Sequence, residues 1–137
     1  MPGMDLHKLI GRFVVDGVRD RAIRHVDDLC KIGFASERSK RLHGLLTEHG
    51  VLAGSDLTAT IVDVVIMELL DVLDSGVVDV DGQGVGVECI GMQVGEDLVR
   101  LDTDGMWCGL YQGPDGWMAT MSQERKSLFA TWPNDPG

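Results

Sequence analysis

A chain of 137 residues, 44% apolar and 25% charged, is long enough to bury about two-thirds of its unfolded surface in one domain without metal or disulfide support. Its three cysteines, Cys30, Cys89 and Cys108, are odd in number and far apart, so they suggest neither a disulfide framework nor a paired-cysteine zinc site and point to a reducing cytoplasm. A net charge of -10 works against nucleic acid and anionic membranes as partners and in favour of basic proteins.

That charge is unevenly placed. Residues 1–50 hold nine Lys or Arg against seven Asp or Glu, whereas residues 56–104 hold twelve acids and the single base Arg100. The opening MPGMDLHKLI lacks an apolar run of signal-peptide length, and no window approaches the ~20 apolar residues of a membrane span. One α+β domain is expected over residues 1–130, followed by a disordered tail over 131–137.

Residues 5–32 read as a long first helix, with Leu6, Leu9, Ile10, Phe13, Val14, Val18, Ala22, Val26 and Leu29 at three- and four-residue spacing. Gly11 and Gly17 weaken it and invite a bend or a close approach. Its polar face pairs Arg12 with Asp16, Asp20 with Arg24, Arg24 with Asp28 and Asp27 with Lys31, a solvated ladder worth a few tenths of a kcal/mol per pair. Gly33 ends this helix. A short second helix runs from the Ser36 cap to about Glu48 with Leu42, Leu45 and Leu46 inward. Its basic first turns, Arg38, Lys40 and Arg41, oppose the helix dipole and are expected to neutralise acids of the third helix.

That third helix, Ser55 to Gly76, is the centre of the chain. Ser55 is its expected N-cap and Gly76 its left-handed C-cap. At about 100° per residue, Asp56, Thr60, Asp63, Met67, Asp71 and Asp74 share a narrow strip and aliphatic side chains cover most of the remaining surface. The expectation is a spine sheathed by its neighbours, with the acidic strip alone in water.

From Gly76 onward lie 11 of the 18 glycines, and helical spacing gives way to short alternating runs. A small antiparallel sheet is predicted. Val77–Val80 and Val85–Ile90 flank a turn at Asp81-Gly82, and Trp107–Tyr111 and Trp117–Met121 flank Gly113-Pro114-Asp115-Gly116. Gly95 to Leu101 reads as an irregular or helical turn between these hairpins. A brief helix is expected from Ser122 through Phe129.

The chemistry-bearing patterns are weak. Asp79, Asp81, Gly82 and Glu88 fall at four positions of a calcium-binding EF-hand loop, but Val77 holds the first position and no exit helix follows. Asp102-Thr103-Asp104-Gly105 reads as a turn. The four histidines, His7, His25, His43 and His49, form no zinc motif, and no phosphate loop, dinucleotide fingerprint or nucleophile elbow is present. No cofactor or metal is implied.

Arg19-Asp20-Arg21-Ala22, Leu42-His43-Gly44-Leu45, Leu69 to Leu73, Gly95-Glu96-Asp97-Leu98, Asp104-Gly105 and Gly116-Trp117 together resemble, over most of the chain, a group of small uncharacterised bacterial proteins. In these, three helices precede a terminal Gly-Trp hairpin. The resemblance implies an α+β domain and transfers no catalytic residue; the glycine-rich region around residues 82–95 is an addition here.

The functional expectation is a non-enzymatic acidic binding protein for a basic protein partner, in the manner of an immunity protein that neutralises a toxin. Asp63, Asp71, Asp74, Asp79 and Asp81 would attract that partner and a few apolar anchors would supply affinity. Two alternatives stand beside it. One is a small-molecule binder or enzyme with His25, His43, Glu68 and Trp107 around a pocket between helices and sheet. The other is a homodimer.

Overall fold

The computed structural model describes residues 6–31, 36–87, 90–101 and 106–131. The chain is an α+β fold: a long first helix, a short second, a third buried along one face, and small antiparallel hairpins. The Gly33 helix stop, Glu88, the Asp102–Gly105 turn and the tail beyond Thr131, Trp132 included, lie outside the described residues.

The long first helix is not uniform. α1 (Leu6–Arg12) passes through a π-helical segment (Phe13–Arg19) into α2 (Asp20–Leu29). Within the segment the Asp20 amide donates to the Val15 carbonyl, five residues back. This wider turn shifts the helix phase by about one residue. Ile10 faces the core before it, Val14 and Val15 within it and Ile23 and Leu29 after it, while Arg19 and Asp20 turn inward at its C-terminal end. The expected inward positions Phe13 and Val18 are therefore corrected to exposed ones.

α3 (Glu37–Glu48) begins as expected, with the Ser39 amide donating to the Ser36 hydroxyl at 3.1 Å. Its Lys40 pairs with Glu37 of the same helix at 3.5 Å, so this base neutralises a local acid. α4 (Asp56–Ser75) also begins and ends where its caps predict: Ser55 accepts from the Leu57 amide, and Gly76 adopts φ 73°. Its buried face comprises Thr58, Ala59, Asp63, Ile66, Leu70 and Leu73.

β1 (Val77–Val80) and β2 (Gln83–Gly86) pair antiparallel around Asp81 and Gly82, both with positive φ, as a two-residue hairpin turn of this hand requires. The second hairpin is β3 (Gly91–Val94) with β4 (Asp97–Arg100), where Gly95 takes φ 62°. The two hairpins form separate two-stranded sheets. This corrects both the irregular turn expected at 95–101 and the hairpin expected at 107–121.

The latter region is a pair of short helices, α5 (Trp107–Tyr111) and α6 (Trp117–Met121). Trp107 and Tyr111 are four apart and both buried, so a helical turn puts both rings into one core; a strand of that length would place them on the same face with Gly109 between. The Gly-Pro-Asp-Gly turn joins helices instead of strands. A Cβ on Gly116 would sit 2.3 Å from the Gln112 carbonyl oxygen, which fixes glycine there. Residues 122–127 are not helical; only Leu128–Ala130 forms a short 3-10 turn.

Trp107, Tyr111, Trp117 and Met118 meet Ile10, Val14, Val15, Ile66, Leu70, Leu73 and Ala130 in one core. The Trp107 and Trp117 rings lie 6.0 Å apart, and His7 meets Trp107 edge-on at 5.4 Å. A Cβ on Gly11 would fall 2.7 Å from Trp117 Nε1, so this glycine lets the indole lie against α1.

Candidate functional site on the third helix

The geometry of the interior polar groups decides which acids remain available outside. Arg19 and Asp63 are both sealed from solvent, with Arg19 Nε donating to Asp63 Oδ1 at 2.7 Å and Nη2 to Oδ2 at 3.2 Å. The Tyr111 hydroxyl donates to the same carboxylate. Arg19 also donates to Ser122 Oγ and the Arg125 carbonyl, each at 2.8 Å. Every guanidinium nitrogen thus has an acceptor, which is the condition for burying such a charge. Burial opposes the Arg19 charge, but the Asp63 hydrogen bond and charge outweigh it and keep the group protonated beyond its ordinary range. Burial, then the charge of Asp63, pushes the Tyr111 hydroxyl far above its usual value, so it stays a donor.

Asp20 extends this network to the C-terminal segment, accepting from Ser122 Oγ at 2.7 Å and the Gln123 amide at 2.8 Å. A second clasp lies nearby: Arg125 grips Asp27 with two bonds of 2.9 Å and donates to the Ser55 carbonyl at 2.8 Å. The Arg125 hydrogen bonds, against some burial, hold the Asp27 carboxyl below its ordinary range. Of the predicted surface ladder, Arg12–Asp16 forms at 3.3 Å. Asp20 and Asp27 instead serve tertiary contacts, and Arg24 faces Glu124 at 3.6 Å.

These contacts revise the predicted acidic strip. Asp63 is corrected from a partner-facing acid to the buried partner of Arg19 and Tyr111, since an unpaired arginine at this depth would be far costlier. Asp74 is corrected too: its two oxygens accept from the Trp107 and Cys108 amides at 2.8 and 2.9 Å, capping α5 from a distant helix. Asp71, Asp79 and Asp81 remain exposed. Burial, then the charges of Asp74, Asp71 and Glu68, raises the Cys108 thiol, which remains neutral.

The residues named for an enzyme-like pocket do not converge. His25 lines a shallow groove with Gly17, Val18, Arg21, Ala22, Arg24 and Asp28, and none of the other three lines it. His43 bonds through Nδ1 to the Leu29 carbonyl at 2.9 Å, Glu68 is exposed on α4, and Trp107 is core, with its indole donating to the Leu101 carbonyl. Among the described residues no cluster of three or more His, Cys, Asp or Glu is placed to hold a metal ion.

What the outside of α4 offers is apolar. Leu57 is 52% exposed, Ile61 54%, Val65 63% and Leu69 59%, and Val64 lies beside them. Steps of four residues put these side chains in one row about 18 Å long. Exposed aliphatic residues scattered singly are ordinary on a soluble protein; a continuous row is not. The expectation of a sheathed spine misses this face, because it covers every aliphatic position. The available signal was the sheer excess of aliphatic positions, more than one core can cover.

The row has a charged border and a depression at one end. Glu68 is exposed one turn beyond Val64 and Val65, Asp71 is exposed three residues after it, Asp56 precedes Leu57, and Asp79 and Asp81 continue beyond the helix on the first hairpin. Near its N-terminal end, α2, α3 and α4 enclose an apolar groove of about 190 Å³ whose rim includes Leu57 and Ile61. Among the described residues no helix is long and apolar enough to cross a membrane. Compared with family models, characterised proteins and solved structures, the chain gave no match.

Proposed function

We propose that this is a non-enzymatic binding protein whose outer α4 face docks an amphipathic, basic segment of a protein partner in the cytoplasm. The single observation behind this reading is the row Leu57, Ile61, Val65 and Leu69, more than half exposed and bordered by acids. A helix laid along such a row matches its 18 Å length with about three turns of its own. Glu68, Asp71, Asp79 and Asp81 then select lysine- or arginine-bearing partners. A toxin domain neutralised in the manner of an immunity protein is one partner of this chemistry.

A second copy is disfavoured as the occupant by the charge of -10, which makes two identical acidic surfaces repel. Covering the half-exposed row contributes about 1 kcal/mol per side chain. Taken alone that is millimolar binding before association costs are met, so charge and a deeper anchor have to supply the rest.

A designed peptide of leucine and lysine with helical amphipathic spacing, compared with a scrambled peptide of the same composition, tests the reading by fluorescence anisotropy. The patterned peptide should bind and the scrambled one should not. The double substitution Ile61→Asp and Val65→Asp should weaken binding at least tenfold while leaving the melting temperature within a few degrees. Equal binding of the two peptides, or a light-scattering mass of a dimer that the double variant dissolves, defeats it.

A further inference from the structure

The second helix of the bundle, α3, is held loosely for its length. Of its 12 residues, all among the described ones, none is buried, whereas α2 buries Asp20, Ile23 and Leu29. It rests against α2 through the half-buried Leu42, His43 and Leu46, with His43 Nδ1 meeting the Leu29 carbonyl at 2.9 Å. Leu46 and Val51 face Val26 and Val62 across the apolar groove of about 190 Å³, so the inner side of α3 is seated without close packing.

The backbone at both ends of α3 is satisfied locally. Ser36 caps its start. At its other end the Val51 amide donates to the Leu46 carbonyl at 2.9 Å and the Gly50 amide to the Thr47 carbonyl at 3.1 Å, with Gly50 at φ 73°. These are the two bonds of a Schellman ending, so Val51 belongs to α3. The residues that follow belong to the body of the fold. The Ser55 amide donates to the Leu52 carbonyl at 3.1 Å, the Gly54 amide to Asp27 at 3.0 Å, and Arg125 holds the Ser55 carbonyl at 2.8 Å. The boundary between the two units falls at the Val51–Leu52 junction.

We propose that α3 is a flap that opens from α2 and α4 about this junction as one cooperative unit, while the Asp27–Arg125 clasp keeps α2 and the start of α4 in place. Few buried apolar contacts give an element a low opening free energy. A helix of 12 residues is marginal alone in water, so α3 unwinds once it leaves its seat. In the open form Val26 and Val62 lose the cover of Leu46 and Val51 and join Leu57 and Ile61 as exposed aliphatic surface. The flap thus sets the width of the apolar face that α4 presents, with or without a partner on the row.

Amide hydrogen exchange of the free, full chain, followed by NMR across a urea series, tests this. After correction for intrinsic rates, the amides of Arg41–Glu48 should share one opening equilibrium and exchange about a hundredfold faster than those of Ile66 and Leu70, with little dependence on urea. Leu46→Ala should speed the exchange of α3 several-fold and leave Ile66 and Leu70 unchanged. Leu45→Ala makes the same change of helix propensity at a position 53% exposed, and should leave α3 exchange within about twofold of the parent. Exchange of α3 at the rate and urea dependence of Ile66, a gradient of rates running inward from its ends, or equal effects of the two leucine variants overturns the flap.

Discussion

Gly11 and Asp27 carry consequences out of proportion to their size. At Gly11 the intrinsic preference of a helix for alanine, about 1 kcal/mol, competes with the steric demand of Trp117, whose ring would lie 2.7 Å from a new methyl carbon. Trp117 is buried and stacked near Trp107, so the ring cannot retreat without disturbing the core. Overpacking costs about 1–3 kcal/mol and wins. Gly11→Ala should therefore lower stability by up to about 2 kcal/mol, read from urea unfolding, with tryptophan fluorescence shifted in the folded baseline. Gly17→Ala is the control, because a methyl there meets nothing closer than Phe13 at 3.7 Å.

The clasp of Asp27 by Arg125 is also a statement about pH. Asp27 is held below its ordinary carboxyl range when folded, so the unfolded chain takes up its proton at higher pH than the folded one does. Its contribution is complete above the unfolded value of about 3.9 and is lost progressively as pH falls through the depressed folded value. Melting curves of the parent and of Asp27→Asn should thus differ most at neutral pH and converge toward pH 3. A gap that widens with acid would show that Asp27 does not carry the interaction.

Among the elements, the π-helical segment governs which side chains reach the interior. Buried positions recur at 10, 14 and 15, then 19 and 20, then 23; the central interval is one residue too long for an α-helix. Removing one exposed residue inside that interval restores ordinary spacing while both flanks keep their faces. Deletion of Gly17 should accordingly leave Arg19 and Asp20 inward, with stability within about 1 kcal/mol of the parent. Deletion of the exposed Arg21 falls in ordinary helix and rotates one flank by about 100°, so it should abolish cooperative unfolding. Both are measured by circular dichroism against temperature.

The same segment explains where sequence reading succeeds and where it fails. Caps at Ser36, Ser55 and Gly76 and the Asp81-Gly82 turn are local chemistry, legible because a few adjacent atoms decide them. A π turn leaves no such signature, so continuing the α period puts Val18 inside and Asp20 on a solvated ladder. Gly-Pro-Asp-Gly likewise specifies a reversal of the chain and not what it joins. The four-residue spacing of Trp107 and Tyr111 suits one face of a helix or of a strand alike, and packing of both rings into one core goes with the helix. Asp63 shared a strip with Asp71 on the helical wheel; its burial depends on Arg19, 44 positions away, which no local pattern encodes.

On the scale of the whole molecule, the acids divide between internal bonds and the surface. Asp20, Asp27, Asp63 and Asp74 are engaged in internal bonds, whereas Glu68, Asp71, Asp79 and Asp81 surround or extend the open row. Long-range attraction acts before contact and is screened over about 10 Å at 0.1 M salt; aliphatic contact acts only after docking. The two groups should therefore separate kinetically when the patterned basic peptide is followed by stopped flow. Charge reversal of Asp71 and Asp79 to lysine should slow association several-fold at low salt and flatten its salt dependence, with dissociation little changed. Leu69→Ala should do the reverse, speeding dissociation while association keeps its salt slope. Should both changes act on dissociation alone, the acidic border would be no steering field, and the excess charge would serve only to keep an exposed aliphatic face in solution.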